Sequence, residues 1–257
     1  MALFRFRRPR AGPSVPPGMR VYAIGDVHGR LDLLLDLLDR IEADSRARPA
    51  AETWIIMLGD LIDRGPDSKG VIDLFLKSPP AFAQYRFLAG NHEEAMLESL
   101  ADQGDPRETG WLRFGGMEAL RSYGVPDNAL ETRGWLLSDE LRRYVPQAHL
   151  DFIASFEETI VIGDYLFVHA GIRPGVALQR QRRKDLLWIR QGFLDDETDH
   201  GHIVVHGHSI TPQPVFARNR IGIDTGAYLS GMLTALGLEG GDQWVLQTVQ
   251  SAEQTPS

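Results

Sequence analysis

Four short motifs in this chain combine residue types that bind divalent metal ions, and a fifth, weaker motif accompanies them. In sequence order they are GDVHGR (25–30), GDLIDRG (59–65), GNHE (90–93), VHAG (168–171) and HGHS (206–209). Carboxylate oxygens, imidazole nitrogens and an amide oxygen are ligands that suit Mn, Fe, Zn or Co ions. Because a carboxylate has two oxygens, one Asp can bridge two ions, and two ions about 3.5–4 Å apart can clamp an in-line displacement at phosphorus. The residue types therefore indicate two divalent transition-metal ions at a site that acts on phosphate esters.

Each motif on its own has an ordinary structural explanation. A lone Gly-Asp pair is usually a turn, because Gly adopts unusual backbone angles and Asp bonds its own main chain. Asn91 in GNHE could cap a helix, and Glu93 would then interact favourably with the helix dipole. Five motifs in one chain, each after an apolar strand pattern, favour one shared site over five separate turns.

The elements that must position these motifs can be read from the apolar pattern. MRVYAI, TWIIML and YRFLA predict strands, whereas LDLLLDLLDRIEADS and SKGVIDLFLKS carry apolar residues at helical spacing. This alternation predicts a largely parallel sheet, with ligands beyond the carboxyl ends of its strands. TIVIGDYLFV predicts a hairpin, and HIVVH, RIGID, GMLTALGLE and DQWVLQTVQ predict further short strands.

Residues 95–158 lack this alternation and predict a helical insertion over the sheet. Within it, Trp111 and Trp135 would be core residues, and His149 would lie on the surface of an amphipathic helix.

Composition limits the classes of protein and the kinds of site. The 257 residues suffice for a single domain, which we place at residues 19–250. The chain has no Cys, which excludes thiol nucleophiles, and its net charge of −8 argues against nucleic-acid binding. We find no apolar run of about 18 residues and no signal segment, so we expect no transmembrane helix and a cytoplasmic protein. Residues 1–18 predict a disordered tail, and residues 251–257 a frayed one.

The motif set GDxHG, GDxxDRG and GNHE, followed by HAG and GH(S/T), resembles that of the PPP-type metallophosphatases within the calcineurin-like phosphoesterase superfamily. The stretches LLWIR and IDTGAYLSGMLTAL also look like its compact bacterial and phage branch. The resemblance covers residues 21–238 and is weakest over the insertion. It implies an α/β (α+β) fold in which two β-sheets form a sandwich flanked by helices, with the metal pair at the sheet ends.

The resemblance also implies the metal ligands. The first ion would take Asp26 and His28, Asp60 would bridge, and the second ion would take Asn91, His169 and one histidine of HGHIVVHGHS (200–209).

Geometry narrows the choice within that last stretch. His202 and His208 would lie roughly 20 Å apart along an extended strand, too far for one dinuclear site. His200 and His202 would then be solvent-facing loop residues before the strand. Spacing leaves His206 and His208 open, and the resemblance selects His208.

Catalytic and phosphate-binding roles follow from the same resemblance. His92 would protonate the leaving alcohol oxygen or otherwise stabilise it, and Asp63 would hydrogen-bond His92 and favour its imidazolium form. Arg64 would bind phosphate oxygens, because a guanidinium stays charged and contacts two oxygens at once. Arg190 would be a second phosphate-binding arginine, with a helix-surface arginine as the alternative, and Asn91 would contact phosphate as well as metal.

The resemblance thus implies a metal-dependent phosphomonoesterase, and we expect a protein serine/threonine phosphatase acting on phosphoproteins or other phosphate esters. A hydroxide bridging two ions, preferably Mn and otherwise Fe or Zn, would attack phosphorus directly. A symmetrical dinucleoside tetraphosphatase is the first alternative, but such relatives carry other residues at the positions of His28 and Asp63. Nucleases and cyclic-nucleotide phosphodiesterases carry GHxH, whereas Ile210 stands at the last position here. A non-catalytic binding module is the remaining alternative.

Overall fold

Three motif-bearing strands lie side by side in the first of two sheets. The structure, a computed structural model, describes residues 12–101, 110–131 and 141–248. The first sheet contains β1 (Met19–Ile24), β2 (Glu52–Met57), β3 (Gln84–Phe87), β9 (Thr234–Glu239) and β10 (Asp242–Gln247). Its order is β10-β9-β1-β2-β3. β1, β2 and β3 are parallel, as predicted, but β9 is antiparallel to both its neighbours, so the sheet as a whole is mixed.

The second sheet carries the later motifs. It contains β4 (Thr159–Ile162), β5 (Tyr165–Val168), β6 (Ile203–His206), β7 (Val215–Phe216) and β8 (Arg220–Gly222), in the order β4-β5-β6-β8-β7. β4 and β5 form the predicted hairpin, which turns at Gly163 with φ of 58°. β5, β6 and β8 are parallel, so the carboxyl ends of β5 and β6 point the same way.

Side-chain alternation along β1 separates two layers of the core. Val21 and Ala23 face the second sheet and pack in a cluster that includes Phe167. Tyr22 and Ile24 face the helices and pack in another cluster with the buried side of the first helix. Burying each such apolar side chain contributes roughly 1.5–3 kcal/mol. The predicted fold class, two sheets flanked by helices, is therefore confirmed.

The helices cover both outer faces of the sandwich. They are α1 (Leu31–Ala47), α2 (Ser68–Lys77), α3 (Asn91–Ser99), α4 (Gly116–Ser122), α5 (Asp127–Glu131), α6 (Gln147–Ala154), α7 (Arg183–Trp188) and α8 (Ala227–Ser230), with 3-10 turns at Trp111–Phe114 and Leu178–Arg180. α7 packs on the second sheet through a third cluster that contains Leu186, Phe193 and Val204.

The described residues between 95 and 156 form helices and loops, in agreement with the predicted helical pattern. Trp111 is fully buried, whereas Trp135 lies outside the described residues. The surface prediction for His149 is wrong. Its ring is buried because both nitrogens find partners, the Tyr123 hydroxyl at 2.9 Å and an Asp73 carboxylate oxygen at 3.0 Å.

The fold begins earlier than the predicted tail boundary. Val15 is buried, and its N–H donates to the Gly240 carbonyl at 2.9 Å. The Ser14 N–H donates to an Asp164 carboxylate oxygen at 2.9 Å. Residues 12–18 are therefore held against the sheets. The sequence pattern did not predict this, because a Pro-rich stretch can form backbone hydrogen bonds and bury one apolar side chain without any hydrophobic periodicity. Residues 1–11 and 249–257 lie outside the described residues.

No helix in the described part of the chain has the length and apolarity that a membrane span requires.

Candidate metal centre and active site

The carboxyl ends of the motif-bearing strands meet at one edge of the sandwich, where they form a pocket. Eight of the ten residues predicted for the site line it: Asp26, His28, Asp60, Arg64, Asn91, His92, Arg190 and His208. The other two, Asp63 and His169, are fully buried beside them. Ile210 and Asp224 complete the lining. The structure therefore brings together all ten residues that the sequence analysis singled out.

The loops that carry these residues have an unusual backbone. Among the described residues, the non-glycine residues with positive φ are His28, Asp60, Asp63, Arg64 and His208, at 47° to 72°. Each such conformation costs of order 1–3 kcal/mol and persists only where surrounding contacts enforce it. All five belong to the predicted site, so the backbone conformations that orient these side chains lower the stability of the fold.

Glu93 supplies much of that enforcement, a role that the sequence analysis missed. Its buried carboxylate accepts hydrogen bonds from the backbone N–H groups of Asp60, Leu61 and Gly90 at 2.8–2.9 Å. Burial and the charge of Asp60 raise the pKa of Glu93 to about 7, against the backbone donors that lower it. The signal was present in the sequence, since Glu at the third helical position often bonds back to the N-cap backbone.

Asp60 is shared by two candidate metal-binding groups. His28, Asp60 and His92 form one group, and Asp60, His169 and His208 form the other. Asp60 Oδ2 lies 3.6 Å from His28 Nε2 and 3.5 Å from His169 Nε2. Its other oxygen, Oδ1, accepts a hydrogen bond from the His92 backbone N–H at 3.0 Å. One carboxylate common to two groups is the arrangement that a bridged ion pair requires.

The histidines are held in the form that metal ions bind. His28 Nδ1 donates to the Ile62 carbonyl at 2.9 Å, and His169 Nδ1 donates to the Leu58 carbonyl at 2.8 Å. These bonds leave each Nε2 with a free lone pair directed toward Asp60. Burial lowers the pKa of His28 to about 3, that of His208 to about 2, and that of His169. All three imidazoles are therefore neutral near pH 7, as coordination demands.

Three further contacts fit a pair of cations. His208 Nε2 is buried and has no hydrogen-bond partner among the described residues. Asn91 Oδ1 lies 3.0 Å from His169 Nε2, so two lone-pair atoms face each other at a distance that a shared cation would stabilise. Burial and the charges of Asp224 and Asp60 raise the pKa of Asp26 well above its usual value, a penalty that bound cations would remove.

Asp26 is held beside the pocket by the loop after β6. Both its carboxylate oxygens lie 3.1 Å from the His208 backbone N, which donates to them. Gly207 makes this approach possible, since a Cβ there would come within 2.1 Å of Asp26 Oδ1. Asp26 belongs to neither of the two groups around Asp60, and it lines the same pocket.

His92 and Asp63 form a buried hydrogen-bonded pair. His92 Nδ1 lies 2.7 Å from Asp63 Oδ2, and the opposite ring nitrogen, Nε2, faces the pocket 3.9 Å from Asp60 Oδ2. Burial alone would lower the pKa of His92, but the charges of Asp60 and Asp63 outweigh it, and the pKa is raised. The imidazolium form is thus favoured at His92 and disfavoured at His28, His169 and His208.

Two arginines extend the pocket. Arg64 Nη1 donates to the Tyr228 hydroxyl at 2.6 Å, and Nη2 lies 3.1 Å from His92 Nε2. Arg190 lines the pocket and donates from Nη2 to the His208 carbonyl at 3.1 Å. Tyr228 escaped the sequence analysis, because its position in a four-residue helix gives no periodic signal. The two guanidiniums provide a cationic side to a pocket lined mainly by carboxylates and imidazoles.

The other histidines of residues 200–209 lie away from this centre. His206 is buried on the outer face of β6, where its ring contacts Phe193 at a centroid distance of 5.2 Å. The expectation that His200 faces solvent is wrong: its side chain is 3% exposed and hydrogen-bonds Asn219 at 3.2 Å. His202 is half-buried beside a second cleft at the opposite end of β6.

A family model described as calcineurin-like phosphoesterase matches residues 19–232, which include the whole site. The chain belongs to this family.

Relatives within it carry different activities in their names. The chain is 27% identical over 229 residues to a serine/threonine-protein phosphatase 1 of Salmonella typhimurium, covering 83% of this chain and 89% of the relative. It is 25% identical over 240 residues to the asymmetrical bis(5'-nucleosyl)-tetraphosphatase PrpE of Oceanobacillus iheyensis, covering 84% and 88%. A solved structure provisionally assigned as a diadenosine tetraphosphatase superposes with a TM-score of 0.60 at 19% identity, covering 94% of this chain and all of that one. This last similarity concerns the fold alone.

Proposed function

We propose that this phosphoesterase is a metal-dependent phosphomonoesterase of the PPP type, a protein serine/threonine phosphatase of the compact bacterial and phage branch. Its two ions, Mn or else Fe or Zn, would be held by Asp26, His28, Asp60, Asn91, His169 and His208. When bound, the ions supply an activated water as the nucleophile and neutralise charge on the phosphate. The observation that carries the proposal is the position of Asp60 Oδ2 between His28 Nε2 and His169 Nε2.

The surroundings of His92 support a role as general acid rather than as a metal ligand. Its Nδ1 is occupied by Asp63, and the guanidinium of Arg64 lies 3.1 Å from its Nε2. A second cation bound at Nε2 would lie beside that guanidinium, which is electrostatically unfavourable. In this structure Arg64 Nη2 can only donate to Nε2, so Nε2 carries a proton only once Arg64 turns from His92 to the phosphate. That proton would then be delivered to the leaving oxygen, with Asp63 stabilising the imidazolium.

The arginines support a phosphate substrate. Arg64 and Arg190 reach the same pocket from different elements, so a phosphoryl group between them could receive charge-assisted hydrogen bonds from both. Asn91 would add its amide N–H to the same phosphoryl group while its oxygen binds metal.

A dinucleoside tetraphosphatase is the second candidate, favoured by similarity to the asymmetrical enzyme of Oceanobacillus iheyensis. Both activities use the same metal centre, so the pocket geometry serves either. The motif set GDxHG, GDxxDRG and GNHE, which resembles that of the PPP-type phosphatases, favours the phosphatase.

The test is a parallel assay of the Mn-loaded protein on phosphoserine and phosphothreonine peptides and on diadenosine tetraphosphate. We expect higher kcat/KM on the peptides, and His92→Asn should lower kcat on them by about 10²–10⁴-fold. Preferential cleavage of diadenosine tetraphosphate would select the second candidate. Absence of turnover on all substrates would contradict both and favour a non-catalytic binding module.

A further inference from the structure

Trp111 directs its indole N–H at the carboxylate that binds His92. Its Nε1 donates to Asp63 Oδ2 at 2.9 Å, and the same oxygen accepts from His92 Nδ1 at 2.7 Å. Trp111 and Asp63 are both fully buried. The contact joins the helical insertion to a residue 48 positions earlier in the chain.

The hydrogen bonds of Asp63 make this contact important for its orientation. Asp63 Oδ1 is buried and has no hydrogen-bond partner among the described residues, so both donors converge on Oδ2. The backbone N–H of Asp63 donates to the Ser68 hydroxyl at 2.9 Å, which fixes the main chain but leaves carboxylate rotation free. The indole N–H therefore helps to hold Oδ2 in front of His92.

Packing fixes the position of the indole itself. Gly116, at the start of α4, lies so close to the ring that a Cβ there would come within 2.6 Å of it. The same turn also binds Arg64, the residue after Asp63. The Gly115 carbonyl accepts from the Arg64 N–H at 3.1 Å, and the Phe114 carbonyl accepts from Arg64 Nε at 3.3 Å. Residues 111–116 thus contact both the acid pair and the phosphate-binding arginine.

We propose that Trp111 is a positioning residue for the Asp63–His92 pair, acting through its indole N–H rather than only as a core side chain. This inference rests on the proposed function, in which His92 protonates the leaving oxygen. Without the indole N–H, Asp63 keeps one donor and its carboxylate can turn away from His92. Proton delivery then weakens most where the leaving group needs it most, in esters of weakly acidic alcohols and phenols.

The test replaces Trp111 by 3-benzothienyl-alanine, an isostere in which sulphur takes the place of the N–H, and compares phenyl phosphate with p-nitrophenyl phosphate. The volume of the buried ring is preserved, so the fold is retained, and thermal unfolding of each protein checks this. We expect kcat on phenyl phosphate to fall about 10-fold more than kcat on p-nitrophenyl phosphate, whose leaving group needs little protonation. In a His92→Asn background the isostere should add less than about a 2-fold effect, since the two act as one unit.

Trp244 provides a matched control. Its Nε1 donates to Asp44 Oδ2 at 3.0 Å, the same type of bond, on an edge strand outside the pocket. The isostere at position 244 should leave the ratio of the two activities unchanged. With the isostere at position 111, an equal loss of kcat on both esters, or full activity on both, would overturn the inference. The proposed function would still stand in that case, provided that the wild-type protein turns over both esters. Absence of wild-type turnover on either ester would overturn the proposed function and the inference with it.

Discussion

At the scale of single residues, the site depends on how Asp60 divides its contacts. One oxygen accepts a backbone N–H from α3, and the other lies within 3.6 Å of two histidine nitrogens that carry lone pairs. Those contacts make Asp60 the residue that would hold both ions. Replacing Asp60 should therefore affect both ions, whereas replacing a terminal ligand should affect chiefly one.

Asp60→Asn should weaken the binding of both ions and lower kcat by more than about 100-fold, beyond the 10–100-fold typical of residues that only support a ligand. The amide keeps the shape of the side chain but offers a single oxygen without charge. Metal content by mass spectrometry and turnover on p-nitrophenyl phosphate check this. Asp32→Asn, which alters an exposed carboxylate paired with Arg30, is the control. An Asp60→Asn protein with two ions and full turnover would refute the bridging role.

Tyr228→Phe should raise KM for phosphate esters by about 2–10-fold with little change in kcat, which corresponds to the net ~0.5–1.5 kcal/mol of a typical hydrogen bond. The Tyr228 hydroxyl accepts from Arg64 Nη1, so its loss lets the guanidinium move away from the phosphate position. Steady-state kinetics on one phosphopeptide provide the measurement, with Tyr144→Phe on the exposed surface as the control. Equal KM values for wild type and Tyr228→Phe would show that the hydroxyl does not position Arg64.

At the scale of secondary-structure elements, α3 connects the pocket with the loop after β2. Its first three residues present Asn91 and His92 to the pocket and Glu93 to the backbone of the β2 loop. A single short helix thus orients the proposed metal ligand Asn91, the proposed acid His92 and the loop that carries Asp60. Changes at its N-terminus should therefore affect metal binding from a distance.

Glu93→Gln should weaken metal affinity by about 10–100-fold and lower the melting temperature. The amide offers one acceptor oxygen in place of two. Its NH₂ group would face backbone N–H groups that donate to the carboxylate in the wild type, so two donors would oppose each other. Isothermal titration with Mn gives the affinity. Glu94→Gln, one residue along the same helix, removes a carboxylate that bonds Arg183 and Trp188 outside the pocket, and should leave Mn affinity unchanged. Similar affinities for wild type and Glu93→Gln would contradict the role of Glu93.

The contacts of Asp73 with Lys69 and Lys77 in α2 and with His149 in α6 should make stability depend on pH. Burial alone would raise the pKa of Asp73 above its usual 3.8. Hydrogen bonds from Lys69 and Lys77 and the charge of His149 outweigh burial and lower the pKa to about 2. The ionised carboxylate therefore stabilises the fold fully above pH 3.8, and this contribution disappears as the pH falls to about 2. Asp73→Asn should lower the melting temperature at pH 7 and have little effect at pH 2. The same decrease at both values would show that Asp73 acts by packing alone.

Sequence pattern predicted the parts of this structure that local spacing encodes. The three parallel strands and the hairpin follow from apolar runs that end in polar motifs. The ten site residues were predicted from the resemblance of those motifs to the PPP-type family, and the structure places them in or beside one pocket. Contacts between distant segments have no such signature: Arg64 meets Tyr228 across 164 positions, and Trp111 reaches Asp63 from the insertion. The surface prediction for His149 is wrong for the same reason, because its burial depends on distant partners, Asp73 in α2 and Tyr123 just after α4.

At the scale of the whole molecule, the structure concentrates unfavourable features at one edge and offsets them elsewhere. The described non-glycine residues with positive φ, the neutral histidines His28, His169 and His208, and the buried carboxylates of Asp26, Asp60 and Asp224 all lie in or beside the pocket. The two sheets and their three apolar clusters hold this edge in place. Ions that bind only the folded chain should stabilise it, by about 2.7 kcal/mol at a concentration 100 times their dissociation constant.

The central claim is that two ions share Asp60, and anomalous diffraction from Mn-soaked crystals tests it most directly. We predict two peaks about 3.5–4 Å apart, both coordinated by Asp60, with His28 and Asp26 on one and Asn91, His169 and His208 on the other. A single peak, or two peaks of which only one contacts Asp60, would contradict the account. So would a peak coordinated by His206 in place of His208.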